Sequence, residues 1–348
     1  MGLKKILALT LVLAMLSLMS GCALLDWIFP DKTPLDDNPN NPNLPPGDDD
    51  LTPNPPVSGD AGQFQIWVID HAGKSTFPVT LNIPKAEGIA REVLKHMVEG
   101  GPSQETLTQK GVRAALPAGT LVLGISIRDG VCTIDFNEKF LDTADDGHET
   151  LMLTALVYTL TEFPTIESVI IWVKGHPVSK MKHGTPVAPV LSRQTSMINP
   201  VPLMVGTGAA QMKIWLRLDN LASGAFLVPV TTFSSRPMNT TAERVSEVIR
   251  LLMQTPPPGS RYSSPLPDSL HFRSVEIQGK TANVYFDGSL GVTKQVDLLV
   301  GAVVLTLTEL PNIDKVRITI SGEHVRLPDG KVLSEPISRP VSVNPLAL

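Results

Sequence analysis

The sequence predicts an α+β protein built from two tandem copies of one small mixed-sheet domain, each with two helices packed on one sheet face. Three observations carry this. Motifs recur in the same order at offsets of 147 to 155 residues, a period that fits duplicated domains and not a solenoid of small repeats. Each copy runs strand, strand, helix, hairpin, helix, strand. In both copies glycine stands where the hairpin must turn.

The repeat is legible in letters. Gln65-Ile66-Trp67-Val68 returns as Lys213-Ile214-Trp215-Leu216, and Glu92-Val93-Leu94-Lys95 as Glu247-Val248-Ile249-Arg250. Leu116-Pro117 returns as Leu266-Pro267, and Phe136 as Phe286. Thr159-Leu160-Thr161-Glu162-Phe163-Pro164 comes back as Thr306-Leu307-Thr308-Glu309-Leu310-Pro311. The copies are expected over residues 62–186 and 210–345, with a Pro, Ser and Gly-bearing linker over 187–209.

In each copy the Trp strand is followed by a second extended segment, 77–83 and 226–233. A helix comes next, with Ile89, Val93, Met97 and Val245, Val248, Ile249, Leu252 at the spacing of one buried face. Thr240 or Thr241 with Glu243 starts the second-copy helix. Gly100-Gly101-Pro102 and Pro256-Pro257-Pro258-Gly259 end these helices. A hairpin follows at Asp129-Gly130 and at Gly279-Lys280. Helices over 149–162 and 295–309 are apolar on nearly all sides and should be the buried ones. Strands over 168–173 and 315–321 close each copy.

The first 22 residues predict a lipoprotein signal. Lys4 and Lys5 precede an apolar run, 6–18, and Met19-Ser20-Gly21-Cys22 supplies the small residues and the thiol of a lipobox. Residues 1–21 are then a signal peptide and Cys22 the lipidation site, with a palmitate-type chain expected on its freed amine as well. Two chains hold a membrane far better than one. Residues 22–61 read as a Pro/Asp-rich tether, with nine prolines and eight aspartates in 23–60. Treated as a coil, such a chain spans roughly 35 Å.

The signal lysines and the tether together account for the whole net charge of −5, which leaves residues 61–348 formally neutral. A neutral folded region with no basic run offers nothing to nucleic acid. With Cys22 acylated, Cys132 has no partner for an intramolecular disulfide, and its place in an apolar strand makes it a core residue.

The Ile-Trp strand, the helix ending Val98-Glu99-Gly100-Gly101-Pro102, the Leu-Pro before a hairpin, and Thr-Leu-Thr-Glu-Phe-Pro followed by Val169-Ile170-Ile171-Trp172-Val173-Lys174-Gly175 resemble the GerMN domain family. The second copy departs at its first helix end, where Gln254-Thr255-Pro256-Pro257 stands. The resemblance implies a ring-building-motif-like fold. It also implies a lipid-anchored extracytoplasmic protein of sporulation and spore germination, acting between mother cell and forespore membranes. There it would support engulfment and the channel complex linking the two cells, with extracytoplasmic channel proteins as partners. It transfers no catalytic residue.

The residues themselves offer few sites. Asp142-Thr143-Ala144-Asp145-Asp146-Gly147-His148-Glu149 gathers acids and an imidazole, but a helix N-terminus accounts for it without a metal. The seven histidines, His71, His96, His148, His176, His183, His271 and His324, show no zinc spacing. Trp67 and Trp215 are expected in strand cores. No catalytic, metal or cofactor-binding residue is expected. The preferred reading is a non-enzymatic assembly protein that presents sheet edges to partners or to itself. The alternative is a peptidoglycan-binding module or cell-wall hydrolase.

Overall fold

The computed structural model describes residues 61–201, 210–220, 222, 224–254, 256, 259–290, 296–327, 330 and 332–346. The signal peptide, Cys22 and nearly all of the tether lie outside the described residues.

The first copy opens with an antiparallel pair, β1 (Ala61–Asp70) and β2 (Thr76–Pro84), to which β3 (Val112–Arg113) adds at Ile69 and Asp70. Helix α1 (Ile89–Lys95) and the short α2 (Gln104–Gln109) follow β2. A second sheet holds β4 (Val122–Arg128), β5 (Val131–Phe136), β6 (Ser168–Val173) and β7 (His176–Pro177) in that order, with β8 (Leu191–Ser192) also on β6. Helix α3 (Asp146–Leu160) crosses from β5 to the parallel β6. The second copy repeats this plan. Strands β9 (Ala210–Asn220), β10 (Gly224–Ser234) and β11 (Tyr262–Ser263) form its first sheet. Its second holds β12 (Leu270–Gln278), β13 (Thr281–Gly288), β14 (Lys315–Ile320), β15 (Glu323–His324) and β16 (Ile337–Ser338). Its helices are α4 (Thr241–Met253) and α5 (Val296–Leu307).

The α+β class and the tandem arrangement are as the sequence predicts. Each copy divides its strands between two sheets, and this explains the apolar α3 and α5. Helix α3 packs on β1 and β2 and also on β6 and β8, so nearly every side of it is covered. Thr240 and Glu243 close a capping box at the start of α4. Asp129 and Gly130 both adopt positive φ at the hairpin.

The first helix is shorter than its apolar periodicity suggests. After Lys95 the backbone turns so that the Leu116 amide donates to Met97 O (2.8 Å) and the Glu99 amide to Leu116 O (2.9 Å). The turn brings Gly101 against Lys95: a Cβ there would lie 2.3 Å from the Lys95 carbonyl oxygen. That contact gives the Gly-Gly-Pro signature its physical reason. The second copy lacks it and continues its helix to Met253.

Repeated letters mark repeated contacts. Strand β3 reaches only Ile69 and Asp70, so the Trp67 amide lies beyond it and donates to Thr159 Oγ1 of α3 (2.9 Å). In the second copy Trp215 donates to Thr306 Oγ1 (3.0 Å). Both tryptophans are buried, as expected. Arg193 then clamps the end of α3, donating to Thr161 Oγ1, Tyr158 O and Glu162. Arg339 does the same at Thr308 Oγ1, Leu305 O and Glu309.

The segment expected as a linker therefore carries β8, Arg193 and a buried tail, Ile198-Asn199. This tail lies on β10 of the second copy, where Ile198 and Thr231 exchange hydrogen bonds of 3.0 and 2.7 Å. The corresponding tail of the second copy returns to β2, where Val343 and Thr80 do the same at 2.8 and 2.9 Å. Phe77 and Phe226 meet between them, centroids 5.0 Å apart. One continuous cluster of buried apolar residues spans both copies.

Candidate interaction surface

The buried carboxylates of the described residues are spent on holding the fold. Glu149, at the end of the acid-rich run, is fully buried and accepts from Thr143 Oγ1 (3.0 Å), the His183 amide (2.6 Å) and the Thr185 amide (3.2 Å). Burial opposes its charge, but these donors hold it below the usual carboxylate range. Asp145 caps α3 through the His148 amide, and Asp142 pairs with Lys139 (3.0 Å) and Lys182 (3.9 Å). The run is a helix start, and no group of three or more metal-ligating side chains occurs among the described residues.

Asp70 accepts from Arg261 of the second copy (2.7 Å) and from the Lys74 and Ser75 amides, while Ser75 Oγ meets Tyr262 Oη at 2.6 Å. Burial again opposes the charge, and Arg261 with those amides holds the carboxyl low. Glu309 lies between Lys213 (3.1 Å) and Arg339 (2.8 Å), which hold it below the usual range against burial. Glu247 is held the same way by Arg250 and Ser234. A paired-carboxylate hydrolase needs one acid pushed up, and these four are pushed down. Cys132 is fully buried with its thiol pushed up to about 11 by that burial, the state of an inert core residue.

A feature that sequence reading missed emerges when the two mixed sheets are compared position by position. In the first, Cys132, Ile134, Phe136, Val169 and Ile171 point into the core, while Val131, Thr133, Asp135, Ile170 and Trp172 face out and are half-buried. The matching outward positions of the second copy are Thr281, Asn283, Tyr285, Arg317 and Thr319. There the sheet covers itself: Arg317 Nη1 donates to Asn283 Oδ1 (3.3 Å), and Tyr285 Oη and Gln278 Nε2 donate to Glu276.

The outer strands differ in the same direction. Both β4 and β12 carry a bulge at the same place, between Val122 and Gly124 and between Phe272 and Ser274. At its apex the first copy has Leu123, 50 % exposed, and the second has Arg273, which faces Asp287 at 3.6 Å. Helix α4 packs along β12. The shorter α1 reaches β4 through Arg91, whose Nη1 donates to Val122 O (3.1 Å). Ile127 is consequently 43 % exposed. Beyond Val122, β4 is the terminal strand of its sheet, with its outer backbone groups unpaired by any neighbouring strand. From Leu121 to Ile127 it carries no charge and no proline, two of the devices that close an edge, and the bulge at Leu123 and Arg128 bound this stretch.

Comparison with known proteins gives this surface its context. The sequence profile of the Germane family, described as sporulation and spore germination, matches twice, over residues 66–179 and 219–326. The chain belongs to the Germane family. The spore germination protein GerM of Bacillus subtilis (strain 168) is 28 % identical over 295 residues, covering 80 % of this chain and 77 % of that one. The solved tandem GerMN domains of the sporulation protein GerM from Bacillus subtilis superpose with a TM-score of 0.68 at 26 % identity, covering 81 % of this chain and 99 % of that one. The GerMN resemblance read from the residues is borne out, and so is its expectation of tandem domains. Family membership gives this Germane protein a sporulation-related role.

Proposed function

We propose that this chain is a membrane-tethered extracytoplasmic assembly protein of sporulation and spore germination that works by protein–protein contacts. Cys22 carries the lipid, and residues 23–60 set the paired domains off the membrane between mother cell and forespore. Its partners are extracytoplasmic proteins of the channel complex, and no cofactor or metal takes part. In this reading the lipid is the anchor; no helix among the described residues is long and apolar enough to cross a membrane.

The observation that carries the reading is the open β4 edge beside an outer sheet face that carries Val131, Ile170 and Trp172. An exposed edge recruits a partner strand through backbone hydrogen bonds, with side-chain pockets supplying specificity. The downward-held carboxylates favour this over wall hydrolysis.

Two variants test it. Ile127→Lys places a charge on the edge at an exposed position and should cut sporulation at least tenfold, with membrane level and melting temperature unchanged. Cys22→Ala should release the protein from membranes. Normal sporulation with Ile127→Lys, or release of wall fragments by the purified protein, overturns the assembly reading.

A further inference from the structure

The assembly reading names an edge; we infer that its occupant is a second copy of this chain, β4 running antiparallel to β4 about a two-fold axis beside Ser126. The inference rests on the β4 reading above and adds the occupant of that edge, so that the channel proteins meet a dimer.

A two-fold interface must be self-complementary. The free ladder runs from Gly124, just past the bulge, to Arg128, and its midpoint is Ser126. An antiparallel copy sets Ser126 against Ser126 on the outer face. On the inner face it sets Ile125 against Ile127, covering a side chain that its own copy leaves exposed. Gly124 then meets Arg128, where a glycine leaves room for the long side chain.

The charge at the two ends of the sheet permits the same direction. At the hairpin end stand Arg128, Asp129 and Glu167, whose carboxyl carbon is 3.3 Å from where a Cβ on Gly130 would sit. At the other end Lys139 and Lys174 are each paired with an acid of their own copy, Asp142 and Glu138. Antiparallel pairing sets the net-acidic hairpin end against this balanced end, whereas parallel pairing opposes two net-acidic ends.

Among the described residues the counterpart strand of the second copy, β12, offers no such edge, because Arg273, Glu276 and α4 close it. A two-fold pairing uses both copies' β4 edges, so pairing through β4 stops at a dimer. The strand pair is a small interface, so affinity is weak in solution and rises when two anchored copies share a membrane.

Full-length protein carrying Ser126→Cys, reconstituted in vesicles, should form a disulfide-linked dimer on mild oxidation; buried Cys132 and acylated Cys22 do not compete. Ile127→Lys in that background should cut dimer yield at least tenfold. Glu276→Cys, at the matching position of the second copy, should remain monomeric. Equal yields from Ser126→Cys and Glu276→Cys overturn the dimer, as does a yield unchanged by Ile127→Lys. Cross-links from Ser126→Cys in sporulating cells that reach another protein and never a second copy also overturn it. In that case β4 is still a partner-binding edge, which only the sporulation phenotype of Ile127→Lys tests.

Discussion

Asn199 and Asn344 make the same three hydrogen bonds from opposite sides of the junction between the repeats. Asn199 Oδ1 accepts the Thr76 amide (3.0 Å), and its Nδ2 donates to Thr76 O and Pro229 O. Asn344 Oδ1 accepts the Leu227 amide (2.9 Å), and its Nδ2 donates to Leu227 O and Pro78 O. Pro78 and Pro229 occupy matching places, opposite Trp67 and Trp215. Each tail thus bridges β2 and β10. Both asparagines have positive φ, 41° and 47°, a conformation that asparagine tolerates better than most residues.

Replacing either one exposes this arrangement. Asn199→Ala leaves three buried backbone groups short of a partner and puts a Cβ-bearing apolar residue in a left-handed conformation. Leaving a buried group unsatisfied costs about 1–3 kcal/mol. The expected loss is about 3 kcal/mol or more, read from denaturant midpoints. Asn199→Gly removes the backbone strain but does not restore the hydrogen bonds, so it should recover only a minor part. A full recovery with glycine would assign the effect to φ alone.

Much of the fold was readable because packing writes periodic letters. The Trp strands, the amphipathic α4, the Asp-Gly turn and the all-round apolar α3 and α5 each announce themselves by spacing. The Thr-Leu-Thr-Glu repeat was visible, but its cause lies in Arg193 and Arg339, about 30 residues downstream. Those arginines and the two Asn-Pro tails sit in Pro- and Ser-rich stretches with no period, so they resembled a linker. Leu191-Ser192-Arg193 against Ile337-Ser338-Arg339 was the signal that a longer alignment of the repeat would have caught. The open β4 edge was hidden because edge position is a property of topology. Only its uncharged composition was in the letters.

Acid should loosen the protein through its buried carboxylates. Asp70, Glu149, Glu247 and Glu309 are all held below their ordinary range in the folded state. A depressed folded pKa means that the unfolded chain binds more protons in the acid range. Their stabilisation is therefore full above the ordinary carboxylate values of about 4 and is lost as pH falls through the folded ones. Stability measured from pH 7 to pH 2 should drop steeply below about pH 4. Glu149→Gln should lower stability at pH 7 and flatten that drop, and an unchanged slope would remove Glu149 from the account.

Cys132 should be silent in the native protein. Its thiol is fully buried and pushed up to about 11, so at pH 8 it is both inaccessible and protonated. Labelling by a maleimide should proceed only through unfolding and accelerate together with loss of secondary structure. Rapid labelling under native conditions would place Cys132 at an opening in the first copy.

The last prediction concerns the junction as a whole. The sequence suggested two halves, 62–186 and 210–345, that fold separately. The structure places both repeats in one compact unit, with each tail seated on the other repeat. A fragment ending at residue 186 lacks β8, the Arg193 clamp and Asn199. It also leaves Phe77, fully buried in the whole chain, without the Phe226 ring it packs on, and Thr80 without Val343. The Asp70–Arg261 and Ser75–Tyr262 contacts are severed as well. Burying one large apolar side chain contributes about 1.5–3 kcal/mol, so losing that cover together with the severed contacts removes much of a domain's margin. The full chain should therefore melt in a single calorimetric transition, with van't Hoff and calorimetric enthalpies in agreement. A Phe77→Ala variant should lower that one transition, while the fragment 62–186 should melt far below it or bind hydrophobic dyes. Two resolved transitions in the full chain, only one of them moved by Phe77→Ala, would mean that the repeats fold independently and that the swapped tails contribute little.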